Sequence, residues 1–218
     1  MWFEPVSTLD LIIKGLLIGV VASAPMGPVG VLCIQRTLNK GRWYGFVTGV
    51  GAAFSDIIYA LVTGFGMSFV IDFIQNKDTL FYVQMGGSAM LVLFGLYMFR
   101  CDPAQSIRPT SHKKGTLAHN LVTGFLVTFS NPLIIFLFVA LFARFAFVVP
   151  EHVVPQSLGY LSIFAGAMAW WFALTAGVNK VRSRFDVKGL RFINRLVGSV
   201  VVIAGIVGFV VTLAGLSL

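Results

Sequence analysis

The sequence predicts an all-α polytopic membrane protein with six transmembrane helices, arranged as a 3+3 inverted repeat whose first and fourth helices break near mid-membrane. Three observations predict it. The 218 residues are 57% hydrophobic and only 11% charged, against about 25% charged in an average soluble domain. The apolar residues fall into six runs, each long enough for the ~20 helical residues that cross ~30 Å of hydrocarbon. Two of those runs, the first and the fourth, carry proline where a helix should be most regular. The runs lack the period-2 alternation of a barrel strand, which leaves helices as the spanning solution.

The first span covers approximately Leu9–Ile34 and is interrupted at Pro25-Met26-Gly27-Pro28. Leu11–Val21 followed by Ala22-Ser23-Ala24 has the outline of a cleavable signal. Glu4 and Asp10 precede it where positive charge is expected, and the apolar run continues beyond, so it reads as a retained helix. The second span is Tyr44–Phe65, extending toward Val70, and the third is Phe81–Phe99. The fourth is Leu121–Phe142, interrupted at Asn131-Pro132; the fifth is Leu158–Val178 and the sixth Phe192–Leu216.

Loop charge orients these spans. Most of the 16 Lys and Arg lie in three loops: Arg36, Lys40 and Arg42; Arg100, Arg108, Lys113 and Lys114; and Lys180, Arg182, Arg184, Lys188 and Arg191, with Arg195 just inside span 6. The opposite side keeps Lys77 and Arg144, and Lys14 lies near the start of span 1. The positive-inside rule places the three basic loops in the cytoplasm and both termini outside. The net charge of +8 therefore reads as topology, and no nucleic-acid partner is expected.

Residues 1–218 form a single transporter domain, with repeat halves at about 1–107 and 108–218 joined by a cytoplasmic loop. Matched features suggest the repeat: the broken spans 1 and 4, Gly51-Ala52 and Gly166-Ala167 in spans 2 and 5, and Gly87-Ser88 with Gly95 against Gly198-Ser199 with Gly205 in spans 3 and 6. Three helices per half give opposite orientations. Broken helices at matching positions of inverted repeats point to an alternating-access carrier.

Pro25, Gly27 and Pro28 form either a packing kink or an unwound segment whose backbone binds substrate. In the second case half-helix N-termini attract a carboxylate and C-terminal carbonyls an ammonium, which suits a zwitterionic amino acid. Ser130, Asn131 and Pro132 are the matching candidates in span 4. Asp56 is the one acid deep within a span. It shares a stripe of small residues with Gly45, Gly49, Ala52, Ala60 and Gly64, which places it on an interior face. It is either a hydrogen-bonded structural acid or a protonatable group that couples transport to protons. Gln35 and Arg36 stand where a substrate would enter from the cytoplasm, although Arg36 also serves orientation. Trp170-Trp171 line a pocket or pack against lipid and core.

Together, Pro25-Met26-Gly27-Pro28, Gln35-Arg36-Thr37-Leu38-Asn39-Lys40-Gly41-Arg42, Gly49–Asp56 and Asn131-Pro132 resemble the lysine-exporter (LysE/RhtB-type) family of amino-acid efflux carriers, in length, span number and motif order. Val29 stands where members of that family often carry Asn or Asp. The resemblance implies export of amino acids or related small metabolites from the cytoplasm, coupled to protons or another ion. It implies the bacterial cytoplasmic (inner) membrane, a small-molecule substrate and the lipid bilayer as partners, with a homo-oligomer left open.

Two other classes compete. A membrane thiol–disulfide electron carrier would want a cysteine in each half, but Cys33 and Cys101 both fall in the first. An inorganic cation exporter would want several intramembrane carboxylates, His or Cys, and Asp56 stands alone. No metal site is expected, since His112 and His119 lack acidic or Cys neighbours. No cofactor is expected either, and no enzyme: intramembrane His, paired carboxylates and a Gly-x-Ser-x-Gly turn are all missing from the sequence.

Overall fold

A computed structural model of the chain describes residues 7–25, 27–71, 77–100, 115–131, 133–149, 151–180 and 187–214. Those residues form eight helices and no strand. In chain order they are α1 (Thr8–Ser23), α2 (Pro28–Lys40), α3 (Arg42–Ile71), α4 (Lys77–Arg100), α5 (Leu117–Phe129), α6 (Leu133–Phe145), α7 (Val153–Lys180) and α8 (Val187–Leu213).

Four of these helices, α3, α4, α7 and α8, are long and apolar enough to cross a membrane alone. The other four come as two bent pairs. α1 and α2 meet at 78°, and α5 and α6 at 72°; counting each pair as one span gives six. The breaks fall where proline interrupts the apolar runs. Pro28 occupies the first turn of α2, where its missing N–H costs no helical bond. Pro132, and the loop with Cys101, His112 and the basic residues Arg108, Lys113 and Lys114, lie outside the described residues.

The long helices extend past the apolar runs that announce them. α3 begins at Arg42 and α7 at Val153, because a helix satisfies its own backbone bonds in water as in lipid. Hydropathy marks only the hydrocarbon-facing part. A tight turn at Gly41, with φ of 112°, joins α2 to α3. That conformation is open to glycine and strained for any residue with a side chain.

The principal interfaces pair α1 with α7, α3 with α5 and α4 with α8, while α3 and α7 meet each other. Glycine sets the approach. A side chain at Gly51 of α3 would overlap the Leu121 carbonyl of α5, and one at Gly124 of α5 would overlap the Thr48 carbonyl of α3. The α1–α7 crossing has the same construction: Gly166 faces the Leu16 carbonyl and Gly19 faces the Ile163 carbonyl. At α4–α8, Gly95 faces the Gly198 carbonyl and Gly205 faces the Ser88 carbonyl. Lipid tails are as apolar as leucine, so hydrophobicity alone does not hold helices together in a bilayer. Close packing of backbones supplies the attraction instead.

Two apolar clusters flank the broken segments. One joins Ile18, Leu91, Leu137, Phe138, Phe142, Phe147 and Ile163, and includes α6. The other joins Cys33, Ile34, Ala52, Ala53, Ala167 and Trp171, and includes α2. The broken halves thus pack differently: α2 lies on α3, whereas α6 lies on α4.

Gly51→Leu should separate α3 from α5 and lower the melting temperature in detergent, at a cost of at least ~1–3 kcal/mol for overpacking. Gly66 faces open space, with no atom within 4 Å of an added Cβ. Gly66→Ala should be neutral or stabilising by up to about 1 kcal/mol, since a helical glycine carries extra chain entropy when unfolded. Equal effects of the two substitutions would contradict the crossing geometry.

Candidate functional site

The two breaks border one cavity of about 470 Å³, part of it open to solvent. Its lining includes Ser23, Pro25, Gly27, Pro28 and Val29 from the first break, and Thr128, Asn131 and Ile134 from the second. Asp56 and Ala52 enter from α3, Trp171 from α7 and Phe94 from α4. Residues far apart in sequence therefore share one chamber.

Asp56 is the charge in that chamber. It is 4% exposed, and its Oδ2 accepts a 2.9 Å hydrogen bond from Ser23 Oγ. No basic side chain is paired with it among the described residues. Ser23 ends α1, so the bond joins the last turn before the first break to the middle of α3. The neighbouring α1 terminus presents the negative end of its dipole. An acid beside that end, without a counter-cation among the described residues, is an environment that a cationic group would complete.

The two short helices that start at the breaks differ at their N-termini. α6 is capped: Leu133 N–H donates to Asn131 Oδ1 at 3.2 Å, and Ile134 N–H to the Asn131 carbonyl at 3.3 Å. α2 has Gly27 as its N-cap, and a glycine has no side chain to cap with. Val31 N–H returns to the Gly27 carbonyl at 3.1 Å, while the N–H groups of Val29 and Gly30 have no partner among the described residues. The positive end of α2 is therefore available where α6's is occupied. The end of α5 is held from across the bundle, because Tyr59 Oη donates to the Phe129 carbonyl at 2.6 Å.

The remaining candidates lie elsewhere. Ser130 is exposed, its hydroxyl donating to the Leu126 carbonyl of its own helix at 2.8 Å, and it does not line the cavity. Pro132 lies outside the described residues. Gln35 and Arg36 sit further along α2, away from the chamber. Arg36 is buried and donates to Thr48 Oγ1 at 2.8 Å and to the Asn120 carbonyl at 3.0 Å, so it ties α2 to α3 and α5.

Sequence reasoning missed Ser23 as Asp56's partner and the apolar wall of Phe94, Val127, Ile134 and Leu137. Ser23 carried a usable signal, as a polar residue one turn before the break. Trp171 is the clearest tertiary placement: it is 1% exposed, and its ring lies over Gly49, where any Cβ would collide with it. Its neighbour Trp170 lies outside the lining. No group of three or more His, Cys, Asp or Glu that could hold a metal occurs among the described residues. Cys33 is fully buried on α2.

An all-helical bundle with two broken helices around a buried acid defines a membrane transport protein. Residues 20–212 match the model of the LysE type translocator family, and the chain belongs to that family. It is 24% identical over 199 residues to a Bacillus subtilis (strain 168) protein described as "Putative amino acid efflux protein YcgF", covering 90% of this chain and 94% of that one. No solved structure matches it.

Asn131→Ala should remove the α6 cap and cost about 1 kcal/mol, read as a lower melting temperature, with Asn131→Ser recovering most of the loss. A null effect of Asn131→Ala would mean that the cap holds no strain-bearing N–H.

Proposed function

We propose that this protein exports amino acids or closely related small metabolites from the cytoplasm by proton-coupled alternating access. The carrying observation is the chamber at the two breaks, which holds a buried, Ser23-bonded Asp56 and an uncapped α2 N-terminus. Membership of the family and the description of the Bacillus relative support the amino-acid class.

A zwitterion fits that arrangement. Its carboxylate is taken by the N–H groups of Val29 and Gly30 at the positive end of α2. Its ammonium goes to Asp56 and to the carbonyl ends of α1 and α5. The apolar wall of Phe94, Leu137 and Trp171 accommodates the side chain. Asp56 then holds either a proton or the substrate's ammonium, and that exclusion couples export to proton return. Pro25, Gly27, Pro28 and Asn131 shape the chamber, with Pro132 and Ser130 retained as hinge candidates beside it. Gln35 and Arg36 line the cytoplasmic approach, where Arg36 joins the two halves of the chain through Thr48 and Asn120.

The glycine crossings support the inverted repeat. The pair Gly51–Leu121 corresponds to Gly166–Leu16, and Gly124–Thr48 to Gly19–Ile163, under one consistent shift for α1 onto α5 and one for α3 onto α7. Gly95–Gly198 corresponds in the same way to Gly205–Ser88. One domain of two opposed halves, set in the bacterial inner membrane with both termini outside, is the reading that these pairs and the loop charges support.

A strain deleted for the protein should accumulate an amino compound and become sensitive to dipeptides that release it. Complementation with Asp56→Asn should leave export at background while the protein still inserts and folds. An active Asp56→Asn carrier would sink the coupling role. Replacing both Cys33 and Cys101 by Ala should leave export within about twofold of wild type. Loss of function there would favour the thiol–disulfide electron carrier instead.

A further inference from the structure

We propose that the chamber at the two breaks selects neutral amino acids with an apolar side chain, of the leucine and methionine kind, and rejects dibasic and acidic ones. This deepens the export reading above and rests on it.

Charge balance sets the first limit. Among the described residues that line the chamber, Asp56 is the one ionisable side chain. It can pair with one ammonium, and the open N-terminus of α2 can take one carboxylate. The α-amino and α-carboxyl groups of any amino acid use both. Lysine or arginine would bring a second cation, and glutamate a second anion. The described lining holds no charge to neutralise either. A charge taken out of water without a partner is strongly disfavoured.

The polar groups of the lining are already engaged or turned away. Ser23 Oγ donates to Asp56 at 2.9 Å, and Thr128 Oγ1 donates to the Gly124 carbonyl at 3.0 Å. Asn131 Oδ1 accepts from the Leu133 N–H at 3.2 Å. Trp171 borders the chamber, but its Nε1 is buried and has no partner. Its ring therefore shows carbon to the open space. Close packing against Gly49 fixes the ring there, since any Cβ at 49 would collide with it.

What remains for the substrate side chain is hydrocarbon. Phe94, Ile134 and Leu137 pack together in one apolar cluster, and Val29, Ala52 and Trp171 in the other. All six border the chamber, which therefore lies between two apolar walls. Ile134 and Leu137 are three residues apart on α6 and so share a face. Such walls favour an apolar side chain, which leaves water at a gain. They disfavour an amide or a charge, whose hydrogen bonds to water are not replaced.

The test uses purified full-length protein in proteoliposomes. Exchange of labelled leucine, lysine, glutamate and 2-aminoheptanoate is measured separately. The last compound carries a methyl group where lysine carries its side-chain ammonium, so shape is held nearly constant while charge changes. Leucine and 2-aminoheptanoate should exchange with half-saturating concentrations at least tenfold below those of lysine and glutamate. Ile134→Asp adds a second carboxylate to the wall, in the first turn of α6, where the helix dipole favours an acid. It should raise the preference for lysine over 2-aminoheptanoate at least tenfold. The wild-type comparison carries the test should that variant fail to fold. Lysine or glutamate exchanging as well as leucine overturns the selectivity and leaves the export reading standing. Exchange of none of the four overturns both.

Discussion

The constraint on which this structure depends is that a helix broken among apolar neighbours still has to satisfy its ends. Each break exposes carbonyls on one side and N–H groups on the other, and a bilayer core offers no water to receive them. The protein answers with specific partners. Asn131 caps the start of α6, and Tyr59 reaches from α3 to the last carbonyl of α5. Ser23 closes α1 against Asp56. At the start of α2 there is no such partner among the described residues, and Gly27 has no side chain to offer. That terminus borders the same chamber as Asp56, the one buried acid among the described residues.

Glycine makes the chamber possible by controlling distance. The crossings α1–α7, α3–α5 and α4–α8 all place a glycine against a facing backbone carbonyl. Such contacts hold long helices rigidly enough for short ones to be left between them. The short helices are then placed unequally. α2 rests on α3 with the Cys33 and Ile34 cluster, and α6 rests on α4 with the Phe138 and Phe142 cluster. A rigid frame carrying two short, differently seated elements is an arrangement from which a carrier can move one element without dissolving the bundle.

Charge is used sparingly and each buried instance has its own solution. Asp10 and Lys14 form a 2.7 Å pair one turn apart on α1. Arg36 is absorbed by a hydroxyl and a carbonyl, and so becomes a tie between α2, α3 and α5. Asp56 has a single serine, and Arg144 has no partner among the described residues.

The sequence alone determined the membrane class, the apolar runs, the positions of both breaks and the interior location of Asp56. All of these depend on local properties: hydropathy over a window, proline's missing N–H, and a stripe of small residues at helical spacing. It also grouped Pro25, Gly27, Pro28, Asn131 and Asp56, which the structure places around one cavity. Only the tertiary structure decided which serine mattered. Ser130 turned outward to its own helix, while Ser23 met Asp56 across 33 positions of sequence. It alone showed Arg36 to be a satisfied tie between α2, α3 and α5. A side chain's partner depends on the rotation and crossing of helices remote in the chain, and those are set by where glycines let backbones meet, which no local window records.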